Sequence, residues 1–550
     1  MINKLSWRLL FLSAFVLLWG CSDDEPYSPT PDENKNADLE SFTVNVDSPV
    51  VFTEAGESKT IEFSILPEYL DFAYDVKSGN CAVNLSYDKG INAYNNGSYP
   101  VKIEDISPAR DGSGNIIKGS YIAKLRDSGD NIFTYSEKLY LTLVYKNAKG
   151  LIMSAMSNAF TVEYENDSPL LLNTGLPIVI IDIPNKAEIT SKDNWASKIN
   201  ITIYDENGKI DYNDSELQMK GRGNSTWGYP KKPYALKLNK KEKILGMSKH
   251  KRWCLLANYL DRTMIRNAVA FEVSRKTGLA YTPDGRFVEL IVNGTHRGNY
   301  YLTEQIKVDK NRVNITDPDD EDLPKEGDYN TRGYIFELDI YFDEQYKFRS
   351  SIFDMPYMFK DPDEVWASEV SYIKQYVKMM EESIAKINTG SSDYMDYLDA
   401  ESFADWWLVH EIMTNGEPNH PKSSYMYKDV DGKMFMGPVW DFDWATLVAI
   451  KTTGFAVKNS LYFNRLFQDA QFVKLVKERY AMFKSGLNEI PAYIDGLKEL
   501  LRKSDSINYK MWGYTGEPNN DAADYDKAMN NLKSVYEARI KWLDTAINNM

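Results

Sequence analysis

The hydrophobic pattern of this chain changes its period once, and that change constrains the fold more than any other feature. Up to about Phe359, apolar residues alternate with polar ones, as at 60–65 and 139–144, which is the pattern of half-buried strands. Beyond Phe359, apolar residues recur at three- and four-residue steps, which is typical of amphipathic helices. The helical stretches are 365–387, 400–413, 461–487 and 525–547. The sequence therefore predicts an α+β protein with strands first and helices after them.

A polar linker at 166–169 divides the strand-rich part into two predicted domains. Several short strands separated by turn signals between residues 38 and 166 suggest an immunoglobulin-like β-sandwich. We expect such a module to be a spacer or an adhesion domain rather than an enzyme. Residues 170–550 form the second predicted domain, with strands, one helix at about 262–277, further strands, and then the helical region.

The first 20 residues predict a bacterial lipoprotein signal peptide that is removed from the mature chain. Lys4 and Arg8 precede a short apolar run that ends at Gly20 and Cys21. This junction resembles a lipobox, which implies cleavage before Cys21 and lipidation of its thiol. An ordinary signal peptide with a chance cysteine is the alternative. Residues 21–37 would be a flexible tether, and the acidic run at 22–25 resembles the export signal of Bacteroidota surface lipoproteins, which implies a surface-exposed position on the outer membrane.

The charge and the composition exclude some classes of partner. A net charge of −16 and a pI near 5.0 argue against nucleic acid, because a phosphate backbone requires a basic face. Only four histidines are present, which argues against a three-histidine zinc site. The aromatic content of 13% fits a glycan- or peptide-binding surface or, more simply, aromatic strands. Once Cys21 is lipidated, Cys81 and Cys254 lie in different predicted domains, so no disulfide is expected.

A glycine-rich turn that carries a cation is the first segment with recognisable chemistry. Residues 220–227 read KGRGNSTW, without the spacing of a Walker A loop. Glycines let the backbone approach phosphate oxygens, and a guanidinium can bind them through two parallel hydrogen bonds. The candidate phosphate-contacting residues are Arg222, Gly223, Asn224, Ser225 and Thr226. A plain β-turn is the alternative.

Lys237 is a second candidate for contact with phosphate. The period of a strand places it on the same face as Ala235, away from its neighbours Leu236 and Leu238. A cation on this face, one strand after the glycine-rich turn, suits the α- and β-phosphates of a nucleotide. A solvated lysine on an edge strand is the alternative.

An acidic pair in the helical part is the third candidate. Residues 439–444 read VWDFDW, and Asp441 and Asp443 could hold magnesium against the same phosphates. A strand-end turn with solvated acids is the alternative. The glycine-rich turn and the acidic pair fall in the strand-rich and helical parts respectively. This order predicts the bilobal layout of protein-kinase-like enzymes, in which nucleotide binds between a β-rich small lobe and a helical large lobe.

The order of four motifs resembles the CotH kinase family, which is named for a spore-coat protein and includes many bacterial secreted proteins and lipoproteins. The motifs are RGNST at 222–226, N-Y-x-D-x-x-x-x-R-N at 258–267, V-N-G-x-x-x-G-x-Y-x-L-x-E at 292–304, and WDFD at 440–443. The resemblance covers about two-thirds of the chain, from Pro177 onward. It implies an atypical kinase fold that transfers the γ-phosphate of ATP to protein serine or threonine with Mg²⁺.

The resemblance also implies roles for individual residues. Residues 222–226 would form the loop that covers the phosphates, and Lys237 would be the ATP-binding lysine. Arg266 would lie on the helix that faces the cleft, and Glu304 would lie near the hinge between the lobes. Asp441 and Asp443 would bind magnesium.

Residues 415–425 occupy the place of the family's catalytic loop, but they depart from its pattern. Glu417 stands where the family has an aspartate, and Ser424 stands where it has an asparagine. The candidate catalytic residues are Glu417 from this segment and Asp441 from the acidic pair. Other polar side chains that could substitute in this segment are Asn415, Asn419 and His420. The departure leaves two functions open: an active surface kinase, or a catalytically inactive kinase-like scaffold that binds glycan or a partner protein at the cell surface.

Overall fold

The computed structural model describes residues 39–53, 56–66, 81–87, 101–127, 135–146, 151–164, 174–317, 331–389, 392–514 and 518–550. The predicted signal peptide, Cys21 and the predicted tether lie outside these residues.

The N-terminal unit consists of two sheets that share one core. Its strands are β1 (Ser41–Asn45), β2 (Val50–Phe52), β3 (Ser58–Leu66), β4 (Cys81–Tyr87), β5 (Val101–Arg110), β6 (Ile116–Asp127), β7 (Tyr135–Lys146), β8 (Ile152–Met156) and β9 (Phe160–Tyr164). One sheet has the order β1-β3-β6-β5, and the other has the order β2-β9-β7-β4 with β8 paired to β7. Phe63 and Leu125 from the first sheet meet Leu141 and Phe160 from the second in this core. Buried and exposed side chains alternate along much of β6, as the period of two predicts.

A closed seven-stranded barrel follows the N-terminal unit in the chain. Its strands are β10 (Ile178–Asp182), β11 (Ala196–Tyr204), β12 (Ile210–Gly221), β13 (Tyr234–Glu242), β14 (His250–Leu256), β15 (Gly285–Val292) and β16 (Thr295–Glu304). They are ordered β10-β11-β12-β13-β14-β16-β15, and the parallel pairing of β10 with β15 closes the barrel. Leu236 and Leu238 of β13 pack in the apolar interior, so the intervening Lys237 faces outward.

A five-stranded sheet that follows the barrel, named the second sheet, and eight helices complete the described part of the chain. The sheet has the order β18-β19-β17-β20-β21 and is built from β17 (Tyr334–Leu338), β18 (Lys347–Arg349), β19 (Pro356–Asp361), β20 (Ser424–Lys428) and β21 (Met434–Met436). The helices are α1 (Arg266–Arg275), α2 (Ala367–Ala385), α3 (Tyr394–Tyr397), α4 (Ala400–Met413), α5 (Phe463–Leu466), α6 (Ala470–Leu487), α7 (Ile490–Trp512) and α8 (Tyr525–Asn548). Strands and helices therefore coexist, which confirms the α+β class.

The helical half differs from its sequence pattern in two respects. Strands β20 and β21 interrupt it, because β20 pairs with β17 from the strand-rich half. The predicted helix at 461–487 divides into α5 and α6, because the carboxylate of Asp469 accepts the N–H of Gln471 and starts a new helix. Helix α4 spans the predicted residues, whereas α7 was not predicted. No helix in the described ranges is long and apolar enough to cross a membrane.

One continuous apolar core joins the helices to the outer face of the barrel. It includes Cys254 and Tyr301 from barrel strands, Phe336 from β17, and Trp406 from α4. Cys254 is a buried free thiol, as expected, and burial raises its pKa. The candidate site lies in a cavity between the barrel and the second sheet.

Candidate functional site

A cavity of about 730 Å³ lies between the barrel and the second sheet. Its lining includes the glycine-rich turn at 221–226, two residues of the Asp-Phe-Asp turn, Asp441 and Asp443, and Glu417 with the residues that lead into β20. The glycine-rich turn therefore meets two segments that lie about two hundred residues later in the sequence.

The glycine-rich turn connects β12 to β13 and is held by its backbone. The N–H of Gly221 donates to Ser191 O at 2.9 Å, and the N–H of Arg222 donates to Pro233 O at 3.2 Å. Gly223 has φ +84°, a conformation that L side chains rarely adopt, which explains why glycine stands there. The Arg222 guanidinium lies 5.5 Å from the centre of the Trp440 ring, directly before the Asp-Phe-Asp turn. The turn thus places its cation beside the acidic pair.

The Asp-Phe-Asp turn has a buried aromatic between two carboxylates that line the cavity. Phe442 is fully buried, and its N–H donates to Asn267 Oδ1 at 2.8 Å. Asn415 Nδ2 donates to Asp441 O at 3.0 Å. The hydroxyl of Ser423 lies 3.3 Å from Asp441 Oδ2. Neighbouring side chains therefore fix the turn while its carboxylates face the cavity.

The two carboxylates of this turn repel each other. Burial, followed by the charges of Asp441 and Asp261, raises the pKa of Asp443 well above its usual range, and the Arg222 guanidinium opposes that rise. A carboxylate pair of this kind is stabilised by a shared proton or a bound cation. Within the described residues, no group of three or more His, Cys, Asp or Glu side chains is arranged to hold a metal. Two carboxylates still match the usual mode of Mg²⁺, which takes one or two carboxylates together with waters and substrate phosphates.

Glu417 begins a single 3₁₀ turn on the same side of the cavity. Its N–H donates to Asn415 Oδ1 at 3.0 Å. Burial, followed by the charge of Asp441, raises the pKa of Glu417 to about 7, although Lys422 lies 3.7 Å from its carboxylate. A carboxylate with such a pKa can accept a proton near neutral pH.

The sequence analysis missed several acidic residues of the cavity lining, and two of them are buried. Glu337 lies on β17 and Asp339 follows the end of that strand, and both are nearly buried. Asp339 accepts the N–H of Tyr341 at 2.8 Å and that of Ser423 at 3.2 Å. Burial, followed by the charge of Glu337, raises the pKa of Asp339 to about 6. The spacing of these two acids could have identified them in the sequence. Glu337 and Asp339 are two residues apart, like Asp441 and Asp443, and they also accompany an apolar strand.

The barrel wall of the cavity carries cations, but Lys237 does not line it. Lys220 and Arg252 do, with Lys220 Nζ 5.0 Å and Arg252 Cζ 5.1 Å from the Trp195 ring centre. Partial burial, followed by the charge of Arg252, lowers the pKa of Lys220. Lys220 is paired across the strands with Ala235, which lines the cavity, whereas Lys237 is paired with Gln218 farther along. Lys220 therefore lines the cavity opposite Ala235, whereas the phosphate contact of Lys237 stays a prediction.

Arg266 also lies outside the cavity lining. It is fully buried and forms ion pairs with Asp261 and, at 2.7 Å, with Asp521. Its Nε donates to Thr446 O at 2.7 Å. The next residue along α1, Asn267, is the one that lines the cavity.

Glu304 is buried beside the cavity rather than in its lining. Its carboxylate accepts the hydroxyl of Tyr281 at 2.9 Å and the N–H of Asp284 at 3.1 Å. The three residues that follow it, 305–307, connect the barrel to the rest of the domain and do line the cavity. Glu304 therefore anchors the start of this connection through Oε2, while its Oε1 lies 4.0 Å from Arg312 Nε.

A protein-family model described as CotH kinase protein matches residues 219–543. No curated protein matches the chain. Solved structures with some likeness include the Bacillus anthracis TIE protein, at 10% identity and TM-score 0.16, covering 40% of this chain and 38% of that one. BcpA, the major pilin subunit of Bacillus cereus, has 14% identity and TM-score 0.15, covering 39% of this chain and 63% of that one. This chain therefore spans less than two thirds of the length of each of these two solved structures. At these TM-scores, the likeness carries no argument about fold or function.

Proposed function

The chain belongs to the CotH kinase protein family, and on this premise we propose that it transfers the γ-phosphate of ATP to serine or threonine hydroxyls of a protein, using Mg²⁺. The proposed fold of residues 170–550 is an atypical bilobal kinase. The barrel would be its small lobe, and the second sheet with the helices would be its large lobe.

The observation that carries this proposal is the separation of charge across the cavity. The barrel side contributes Lys220, Arg222 and Arg252, and three carboxylates, Glu417, Asp441 and Asp443, cluster on the opposite side, where Lys360 and Lys422 also line the cavity. A triphosphate needs cations along its oxygens, and a divalent cation needs carboxylates on its other side. A cavity with a cluster of cations on one side and a cluster of carboxylates on the other accommodates both.

Asp441 and Asp443 are the residues that would hold Mg²⁺, and the repulsion between them favours a bound cation. When bound, Mg²⁺ neutralises charge that develops on the phosphoryl group. Arg222 and the N–H groups of the glycine-rich turn would orient the phosphates.

Glu417 is proposed as the general base. It would accept the proton of the acceptor hydroxyl as that oxygen bonds to the γ-phosphorus. The bond from the γ-phosphorus to the bridging oxygen then breaks, and ADP leaves with that electron pair. Lys422, at 3.7 Å, lies close enough to favour the ionised form of Glu417 before the reaction.

The pH dependence of transfer should report the ionisation of Glu417. Its pKa of about 7 leaves it protonated, and unable to accept a proton, at lower pH. We therefore expect the rate to rise as pH increases through about 7 and then to level off. Glu417→Gln should remove this rise and lower the rate by about a hundredfold or more, which labelled-phosphate incorporation at several pH values would measure. An unchanged pH profile in the variant would rule out Glu417 as the base.

Lys220 should contribute more to nucleotide affinity than Lys237, because Lys220 lines the cavity and Lys237 does not. We expect Lys220→Met to weaken ATP binding about tenfold, which is the loss of about 1.4 kcal/mol from one charge-assisted contact. Lys237→Met is the matched control and should change the affinity less than about twofold. Calorimetric titration of each variant with ATP in EDTA would compare them, and a larger loss in Lys237→Met would restore that lysine as the phosphate contact.

The proposed function is tested by titrating the purified protein with ATP, with and without Mg²⁺, and then by assaying transfer of labelled phosphate to protein. Binding that Mg²⁺ strengthens, followed by transfer, would support the kinase. The absence of binding to any nucleoside triphosphate would contradict it and would favour the inactive scaffold that binds glycan or protein.

We further propose that the protein is a lipoprotein of the cell envelope, anchored by lipid on Cys21 and exposed on the outer membrane. The lipobox-like junction supports the anchor. Residues 38–166 would be an immunoglobulin-like spacer that carries the kinase domain away from the membrane, and the shared core of its two sheets is consistent with a sandwich.

A further inference from the structure

The Asp-Phe-Asp turn and the residues after it adopt a backbone that their own sequence does not favour. Asp441, Ala445 and Leu447 have φ angles of 67°, 51° and 49°, in the left-handed region. A non-glycine residue in this region costs roughly 1–2 kcal/mol, so the surrounding structure must hold the segment in place.

Side chains from distant elements provide that support. The carbonyl of Asp441 and the N–H of Phe442 are held by Asn415 and Asn267, as described above. The N–H of Leu447 donates to Thr414 Oγ1 at 3.0 Å. Between Phe442 and Leu447, one more backbone group is held by a distant side chain. It is the carbonyl of Asp443, which is a proposed metal ligand.

Asn519 holds that carbonyl. It lies between α7 and α8, and its side chain is 2% exposed. Its Nδ2 donates to Asp443 O at 2.9 Å and also to Leu260 O at 3.0 Å. Its Oδ1 has no hydrogen-bond partner within the described part of the chain, so the amide acts here only as a donor.

Leu260, whose carbonyl accepts the second of these hydrogen bonds, lines the cavity. It lies between β14 and α1, in the segment that joins the barrel to the helix beside it. One buried amide group therefore ties the acidic turn to the barrel side of the cavity. Asn519 itself does not line the cavity, so it can act on a ligand only through Asp443 and Leu260.

We infer that Asn519 is a positioning residue for divalent-cation binding, and this inference rests on the proposed function. By fixing the carbonyl of Asp443, Asn519 fixes the backbone from which the Asp443 carboxylate projects into the cavity. Removal of a partner that orients a metal ligand typically weakens metal affinity about 10- to 100-fold.

Asn519→Leu isolates this contact, because it nearly keeps the shape of the side chain, removes the donor and adds no charge beside the acidic pair. Mg²⁺ would be titrated calorimetrically into full-length protein saturated with a non-hydrolysable ATP analogue. We expect the Kd for Mg²⁺ to rise about 10- to 100-fold, while the affinity for the analogue in EDTA stays within about twofold. Asn530→Leu makes the same chemical change at an exposed position on α8 and should leave both values unchanged.

A purely structural role predicts a different result, namely a lower melting temperature with an unchanged Kd for Mg²⁺, and that result would overturn the inference. If Asn519→Leu does not fold, Asn519→Ser provides the same test, since its shorter hydroxyl cannot reach both carbonyl oxygens. Tight Mg²⁺ binding in the wild type together with an equal Kd in the variant would reject the role of Asn519 and leave the proposed function intact. Absence of Mg²⁺ binding in the wild type would reject both.

Discussion

Asp441→Asn should lower the rate of phosphate transfer by about a hundredfold or more, which corresponds to about 3 kcal/mol of lost transition-state stabilisation. The substitution removes one of the two carboxylates that would hold Mg²⁺ and leaves Asp443 alone at the end of the cavity. Labelled-phosphate incorporation would measure the rate, and calorimetry would measure the loss of the Mg²⁺-dependent part of ATP binding. Binding of ATP in EDTA should persist, because the cations of the barrel wall are untouched.

The same substitution should not destabilise the protein without metal. The charge of Asp441 helps to raise the pKa of Asp443, so its neutralisation relieves a like-charge contact and should hold or slightly raise the melting temperature. Asp495→Asn is a matched control at an exposed carboxylate and should leave rate and metal affinity unchanged. Wild-type transfer rates in Asp441→Asn would remove this residue from the mechanism, whereas a large fall in melting temperature would point to a structural role.

The sequence predicted best those features that depend on residues close together in the chain. The sequence pattern gave α4 and α8 nearly to the residue, although only α8 buries a single face and α4 is buried on all sides from residue 402 onward. The glycine-rich turn and the acidic pair were recognised as single segments because the residues of each are close together in the chain. Their presence in one cavity is what the order of motifs led us to expect.

The features that the sequence did not predict depend on pairings between distant residues. Closure of the barrel requires β10 to pair in parallel with β15, more than a hundred residues later, and no local pattern encodes that contact. Strand β20 likewise belongs to a sheet with β17, inside a region whose local period is helical.

The prediction that Lys237 contacts phosphate shows what the two-residue alternation of a strand can and cannot predict. The period of two correctly put Lys237 on the outer face of β13 with Ala235. It could not show that Ala235 lines the cavity whereas Lys237, although paired with the lining residue Arg252, does not. The cation at that depth is Lys220 on the neighbouring strand, and this is known only from the register of β12 against β13.

Arg266 illustrates the same limit and leads to the largest predicted effect on stability. Its place on the helix beside the cleft was predicted, but its environment was not, because one of its two acidic partners, Asp521, lies 255 residues away. Arg266→Met would leave Asp261 and Asp521 buried without their cation. Such a change costs about 3–5 kcal/mol, because an uncompensated buried charge loses its solvation and gains no partner. Chemical denaturation monitored by circular dichroism would measure this loss.

Two further variants separate charge burial from loss of a phosphate contact. Arg502→Met removes an arginine that also has two acidic partners, Glu499 and Asp526, but the Arg502 side chain is 42% exposed, so its loss should cost less than about 1 kcal/mol. Adding Asp521→Asn to Arg266→Met should recover part of the stability, because it neutralises one stranded carboxylate. If Arg266 instead bound phosphate, its removal would weaken ATP binding in EDTA, and the second substitution would restore nothing. Recovery of stability by the double variant therefore distinguishes an arginine that neutralises buried acids from one that binds the nucleotide.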